Sequence, residues 1–197
     1  INKYTMKNKF LIFIIMLIST GSFSQERIIS ADTSKITKHS TIILDKKVNY
    51  SAQIGTQPIW DVEGQVIATL HYTYYKRTDI NDDSNRPLIF SFNGGPGSAS
   101  MWLHMGFFGP KVVKVDSDAK SDDGAAPYHL VNNDHGLLDI TDLVFIDPVG
   151  TGYSRLVGKG EGKDFYGLKE DVNSFAQFIR KWVTENERWF SPKYLAG

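Results

Sequence analysis

Leu88-Ile89-Phe90-Ser91-Phe92-Asn93-Gly94-Gly95-Pro96-Gly97 is the stretch on which the fold turns. Its first five residues form a short apolar run with no helical period. Runs of this length, without alternation, are strands buried on both faces, as in the middle of a parallel sheet. The run stops at once in Asn93 to Gly97, where three of five residues are glycine. A second run has the same design: Leu143-Val144-Phe145-Ile146 ends in Asp147-Pro148 and then Val149-Gly150-Thr151-Gly152. In α/β sheets, ligands bind in the loops that follow strand carboxyl ends. Both glycine-rich turns are therefore candidate functional segments.

The neighbouring sequence completes the pattern. Val48 to Ile54 and Val66 to Tyr75 are β-branched and aromatic, and the stretch between them contains Pro58 and Glu63-Gly64, which predicts an antiparallel hairpin. Ser40 to Leu44 predicts a short strand. Gln25 to Lys38, polar and without period, reads as a loosely attached lead-in, and Thr78 to Asn85 as a loop. Between Asp164 and Trp189 lies the clearest helix. Val172, Phe175, Ala176, Ile179, Trp182 and Val183 recur at three- and four-residue spacing. Asp164 or Asp171 is placed to cap its start, and Ser191-Pro192 to end it. Tyr194-Leu195-Ala196-Gly197 begins a further strand. The order of elements predicts an α/β fold, a mixed and mostly parallel sheet flanked by helices.

Composition narrows the classes. There are 22 Lys plus Arg against 22 Asp plus Glu, a formal net charge of +0, and no dense basic run. Nucleic acid is thereby excluded as a partner. The chain has no cysteine, so disulfides, a thiol nucleophile and cysteine-ligated metals are excluded within these residues. Nothing implies a metal or cofactor. Asp116 to Gly124 has the look of a calcium loop, but Lys120 and Pro127 occupy ligand positions, so it reads as a solvated acidic loop. Lys7 and Lys9, the apolar run Phe10 to Ile18, and small residues at Ser22 and Ser24 predict a signal peptide over residues 6–24, with residues 25–197 forming the domain. A spanning helix needs about 20 apolar residues, roughly twice this run. The expectation is an exported protein, periplasmic or secreted, with no stable membrane anchor. Residues 1–5 read as translated sequence upstream of Met6.

Glycines at the end of a buried strand admit positive φ and bring bare N–H groups close to a ligand. Such donors stabilise the oxyanion of acyl transfer, each by about 3 kcal/mol. A glycine-rich turn alone is weak evidence for this, because glycine often simply makes a tight structural turn. Phe92 to Ser100 together with Asp142-Leu143-Val144-Phe145-Ile146-Asp147-Pro148-Val149-Gly150-Thr151-Gly152-Tyr153-Ser154 is more specific, and resembles the serine carboxypeptidase family. Gly109-Pro110 matches the Gly-Pro that follows the family's first motif, and the resemblance runs from about Ile42 onward. It implies an α/β-hydrolase fold and release of C-terminal residues from peptides through an acyl-enzyme. It implies Gly95 as an oxyanion-hole donor through its backbone N–H. Asn93 would bind the substrate's free C-terminal carboxylate, Gly94 would shape that pocket, and Tyr153 would line the cleft. Asp147 to Gly152 would hold a loop near the site.

The chain also departs from the family. Ser98 stands where the family has cysteine, and Phe107 where some members have a glutamate that shares a proton with a second one. No G-x-S-x-G occurs, and Gly197 falls where the first glycine of that motif is expected. The 197 residues by themselves are expected to be inactive, because the family's Ser, Asp and His follow later in that order. His104 and His129 read as packing or loop residues. Two other readings stay open: a proline aminopeptidase, which carries His-Gly-Gly-Pro-Gly at this place, and a non-catalytic binding protein on the same scaffold.

Overall fold

The computed structural model describes residues 32–81, 85–94, 97–114 and 128–197. The signal peptide expected at 6–24, Gly95 and the acidic loop 116–124 lie outside the described residues.

The principal sheet is mixed. Its strands are β1 (Thr33–Ile43), β2 (Lys46–Trp60), β3 (Val66–Arg77), β4 (Leu88–Ser91), β7 (Asp142–Ile146), β8 (Arg155–Leu156) and β9 (Lys193–Ala196). The spatial order is β1-β2-β3-β7-β4-β9, with β8 on the flank of β3. β1, β2 and β3 form an antiparallel wing that meets β7 antiparallel, and β7, β4 and β9 run parallel. β5 (Lys111–Lys114) and β6 (His129–Asn132) make a separate hairpin. One long helix, α1 (Leu168–Glu185), leads into β9.

The double-sided burial expected of β4 and β7 is present. Leu88 and Phe90, with Val144 and Ile146, pack with Tyr72, Tyr74 and the helical residues Phe175, Phe178, Trp182 and Val183. The alternate residues Leu143 and Phe145, joined by Ile89, belong to a second cluster with Ile43, Val48, Tyr50 and Leu138. Each strand feeds two cores, which is why its sequence does not alternate. Among the described residues, no helix is long and apolar enough to cross a membrane.

Four local expectations need correction. The lead-in is not loose up to Lys38: β1 begins at Thr33 and pairs with β2 as far as Thr56. Leu44 and Asp45, both at positive φ, make its two-residue turn. Pro58 lies inside β2 rather than between strands, two residues past the last β1 partner, where β2 has β3 on one side only. The helix starts at Leu168, behind an N-cap glycine, Gly167, that offers no side-chain cap, and it ends at Glu185, before Ser191-Pro192. Asp164 instead closes a capping box with Glu161 on the preceding 3-10 turn. Finally, the buried face of α1 centres on Phe175, Phe178 and Trp182, while Val172 is 57% exposed.

Candidate active site

The parallel register aligns Ser91 with both Phe145 and Ala196, so β4, β7 and β9 end at one edge of the sheet. The chain leaving β4 stays close to β9: Phe92 N donates to Ala196 O at 3.0 Å. Asn93 follows, half-buried. Its Oδ1 accepts the backbone N–H of Leu103 at 3.1 Å, in the helical segment Met101–Phe108 that the glycine loop enters. That bond orients the amide, leaving Nδ2 as the donor end the side chain can offer a ligand. Gly94 is exposed, and among the described residues a Cβ there would meet nothing within 4 Å. Gly97 needs glycine for its φ of +91°.

The loop after β7 is built around Asp147, which is 6% exposed. Its main chain is fixed on both sides: its N–H donates to His71 O at 3.0 Å, and its carbonyl accepts Ser154 Oγ at 2.7 Å. Ser154 Oγ in turn accepts the N–H of His71 at 2.8 Å. The carboxylate faces the other loop. Oδ1 accepts both the N–H and the hydroxyl of Ser100 at 2.9 Å, and Oδ2 accepts the N–H of Tyr153 at 3.2 Å. Gly150 (φ +82°) and Gly152 (φ +47°) turn the chain back over this carboxylate. A Cβ on Gly152 would run into Asp147 Oδ2. The glycines of this second loop are thus explained by packing and backbone conformation, whereas Gly94 is required by neither.

Two histidines flank the cluster. His104 stacks on Phe145 at 4.4 Å and makes a 2.7 Å hydrogen bond through Nε2 with the Tyr75 hydroxyl. Burial pushes its pKa down to about 4, against the opposing pull of Asp147. His71 lies with its ring centroid 5.1 Å from that of Tyr153, and burial lowers its pKa too. His104 is thus a packing residue, as its sequence context suggested, and His129 is exposed in β6. Tyr153 is 72% exposed, tied to the cluster by its backbone.

Asn93, Gly94 and Tyr153 are therefore gathered at one edge of the sheet, joined through Ser100 and Asp147. Ser100, Ser154 and Tyr75 received no role from the sequence. Ser100 lay inside the motif that carried the resemblance, but its partner is 47 residues away and has no local signal.

The order of β2, β3, β7, β4 and β9, with a glycine loop after β4, defines an α/β-hydrolase. The family model for serine carboxypeptidases matches residues 57–197, and the chain belongs to that family. It is 39% identical over 127 residues to the pheromone-processing carboxypeptidase KEX1 of Saccharomyces cerevisiae, covering 62% of this chain and 16% of that protein. Against serine carboxypeptidase-like 15 of Arabidopsis thaliana it is 29% identical over 126 residues, covering 63% of this chain and 27% of the relative. The crystal structure of Kex1(delta)p, a prohormone-processing carboxypeptidase from S. cerevisiae, superposes with a TM-score of 0.53 at 26% identity. That match covers 74% of this chain and 30% of the other. The chain thus spans between 16% and 30% of the length of these relatives.

Proposed function

We propose that the full-length protein is an exported serine carboxypeptidase, with a signal peptide at 6–24 and its hydrolase domain beginning in 25–197. It releases residues from the C-termini of peptides through an acyl-enzyme. The serine attacks the last peptide carbonyl, the amine leaves, and water hydrolyses the ester. Gly95 stabilises the oxyanion through its backbone N–H, while Asn93 receives the terminal carboxylate beside Gly94, with Tyr153 on the cleft wall. The serine, histidine and acid are assigned to residues after Gly197, the serine on the turn that β9 would deliver.

The observation that carries this reading is the orientation of Asn93. With Oδ1 on the Leu103 N–H, the amide offers a donor at a strand end where Gly94 leaves open space. A desolvated carboxylate can be satisfied there without a buried cation. Full-length protein should cleave N-blocked peptides with a free carboxylate and leave free-amine prolyl peptides intact. Cleavage of the latter alone overturns the proposal in favour of an aminopeptidase, and cleavage of neither favours a binding protein. Asn93→Ala should weaken peptides with a free carboxylate more than their amides, and equal losses would remove Asn93 from the role. Asn93→Asp should be worse than Asn93→Ala for the free carboxylate, since it keeps the Leu103 bond and sets a like charge against the ligand.

A further inference from the structure

We propose that Asp147 is a positioning residue, a carboxylate clamp that sets the glycine loop after β4 in register with the loop after β7 and, through Ser100, aims Asn93. The inference rests on the carboxypeptidase reading of that edge and adds a residue to it.

All three groups around the carboxylate are donors: the N–H and hydroxyl of Ser100 on Oδ1, and the N–H of Tyr153 on Oδ2. Both oxygens must therefore accept. An asparagine has one accepting oxygen, and its NH2 would oppose an N–H on one side. Hydrogen bonds to a carboxylate are the stronger ones, which suits a residue that is 6% exposed. The clamp does not float, because its own N–H and carbonyl are tied to β3 and to Ser154. Gly152 passes so close that the side chain has no room to swing toward it.

From Ser100 the linkage continues to the site. Ser100 O accepts the N–H of His104 at 2.9 Å, closing the helical turn whose Leu103 N–H holds Asn93 Oδ1. Asp147 to Ser100, Ser100 to the turn, and the turn to Asn93 form one connected path. Both ends of the loop containing Gly95 are thereby held, at Asn93 and at Ser100. A displacement of about 1 Å in such a loop costs catalysis heavily.

The test uses full-length Asp147→Asn and Ser100→Ala beside wild type. Cleavage of an N-blocked peptide, inhibition by an N-blocked dipeptide and by its amide, and hydrogen–deuterium exchange of segment 92–103 are measured. For Asp147→Asn, kcat/KM should fall on the order of tenfold or more. Preference for the dipeptide over its amide should shrink, and exchange in 92–103 should rise. Ser100→Ala, which keeps the backbone bond, should shift each in the same direction by less. Loss of folded enzyme alone would lower the rate without changing the preference or KM, and that outcome overturns the clamp. If wild type cleaves nothing, the carboxypeptidase reading fails, and exchange decides separately: unchanged exchange in Asp147→Asn overturns the clamp, increased exchange upholds it.

Discussion

His104 pays for its place against Phe145 with its proton. Burial holds the imidazole neutral, and its Nε2 shares a hydrogen bond with the Tyr75 hydroxyl, whose own ionisation burial pushes up. Its pKa is about 4 in the fold and near 6.5 when unfolded. The unfolded chain therefore takes up the proton first as pH falls. Stability from this group is complete above about pH 6.5 and is lost between there and about pH 4, on the order of 3 kcal/mol. His71, lowered by burial, acts in the same direction. Thermal melts at pH 7.5 and 4.5 should show a smaller loss for His104→Gln, which can still hydrogen-bond with Tyr75, than for wild type. Equal losses would place the pH sensitivity elsewhere. Gly152→Ala makes a second residue-scale case. It brings a methyl into Asp147 Oδ2 at a φ of +47°, and should cost about 2 kcal/mol or more in urea titrations.

At the scale of elements, α1 closes with a Schellman arrangement. Arg188 N donates to Val183 O at 2.9 Å, Glu187 N donates to Thr184 O at 3.3 Å, and Glu187 sits at φ +55°. A glutamate in the left-handed region is strained, so Glu187→Gly should stabilise the protein by about 0.5–1 kcal/mol, read as a raised Tm. A lowered Tm would show that the Glu187 side chain contributes more than its backbone costs. The helix also shows what was legible in the sequence. Its period was plain, but two neighbouring stripes share that period. The bulk of Phe175, Phe178 and Trp182 decided which one faced the sheet, with Trp182 edge-on to Tyr74 at 4.7 Å and to Phe90 at 5.6 Å. β4 and β7 were readable because double-sided burial leaves its mark on every residue. β1 was read short because most of it is exposed, and Leu44-Asp45 carries none of the glycine or asparagine that usually announces such a turn. The site divides similarly. Its glycine loops were visible as motifs, while Asp147–Ser100 and Tyr75–His104 are pairings that only the strand order creates.

Across the whole molecule, the opposite edge of the sheet is locked by one buried charge network. Asp142, at the start of β7, is fully buried. Its Oδ1 accepts Arg86 Nε at 2.9 Å and the N–H of Arg77 at 3.1 Å, and its Oδ2 accepts Arg188 Nη1 at 2.8 Å. Arg188 also reaches the Tyr74 hydroxyl, Arg86 O and Ser191 Oγ. The end of β3, the entry to β4, the start of β7 and the link from α1 to β9 thus meet at one carboxylate. This fixes the amino ends of the parallel strands whose carboxyl ends form the site. Attraction within such a network is set against desolvation, so its net contribution is smaller than its bond count suggests, but removing one member strands the others. Asp142→Ala leaves two buried guanidinium groups facing each other and should cost about 3–5 kcal/mol. Arg188→Met leaves Asp142 with Arg86 and should cost less. Because both substitutions break the same bond, the double variant should fall short of the sum by about 1–3 kcal/mol. Urea denaturation of the four proteins measures this. Strict additivity would mean that Arg188 acts through Tyr74, Arg86 O and Ser191 rather than through Asp142.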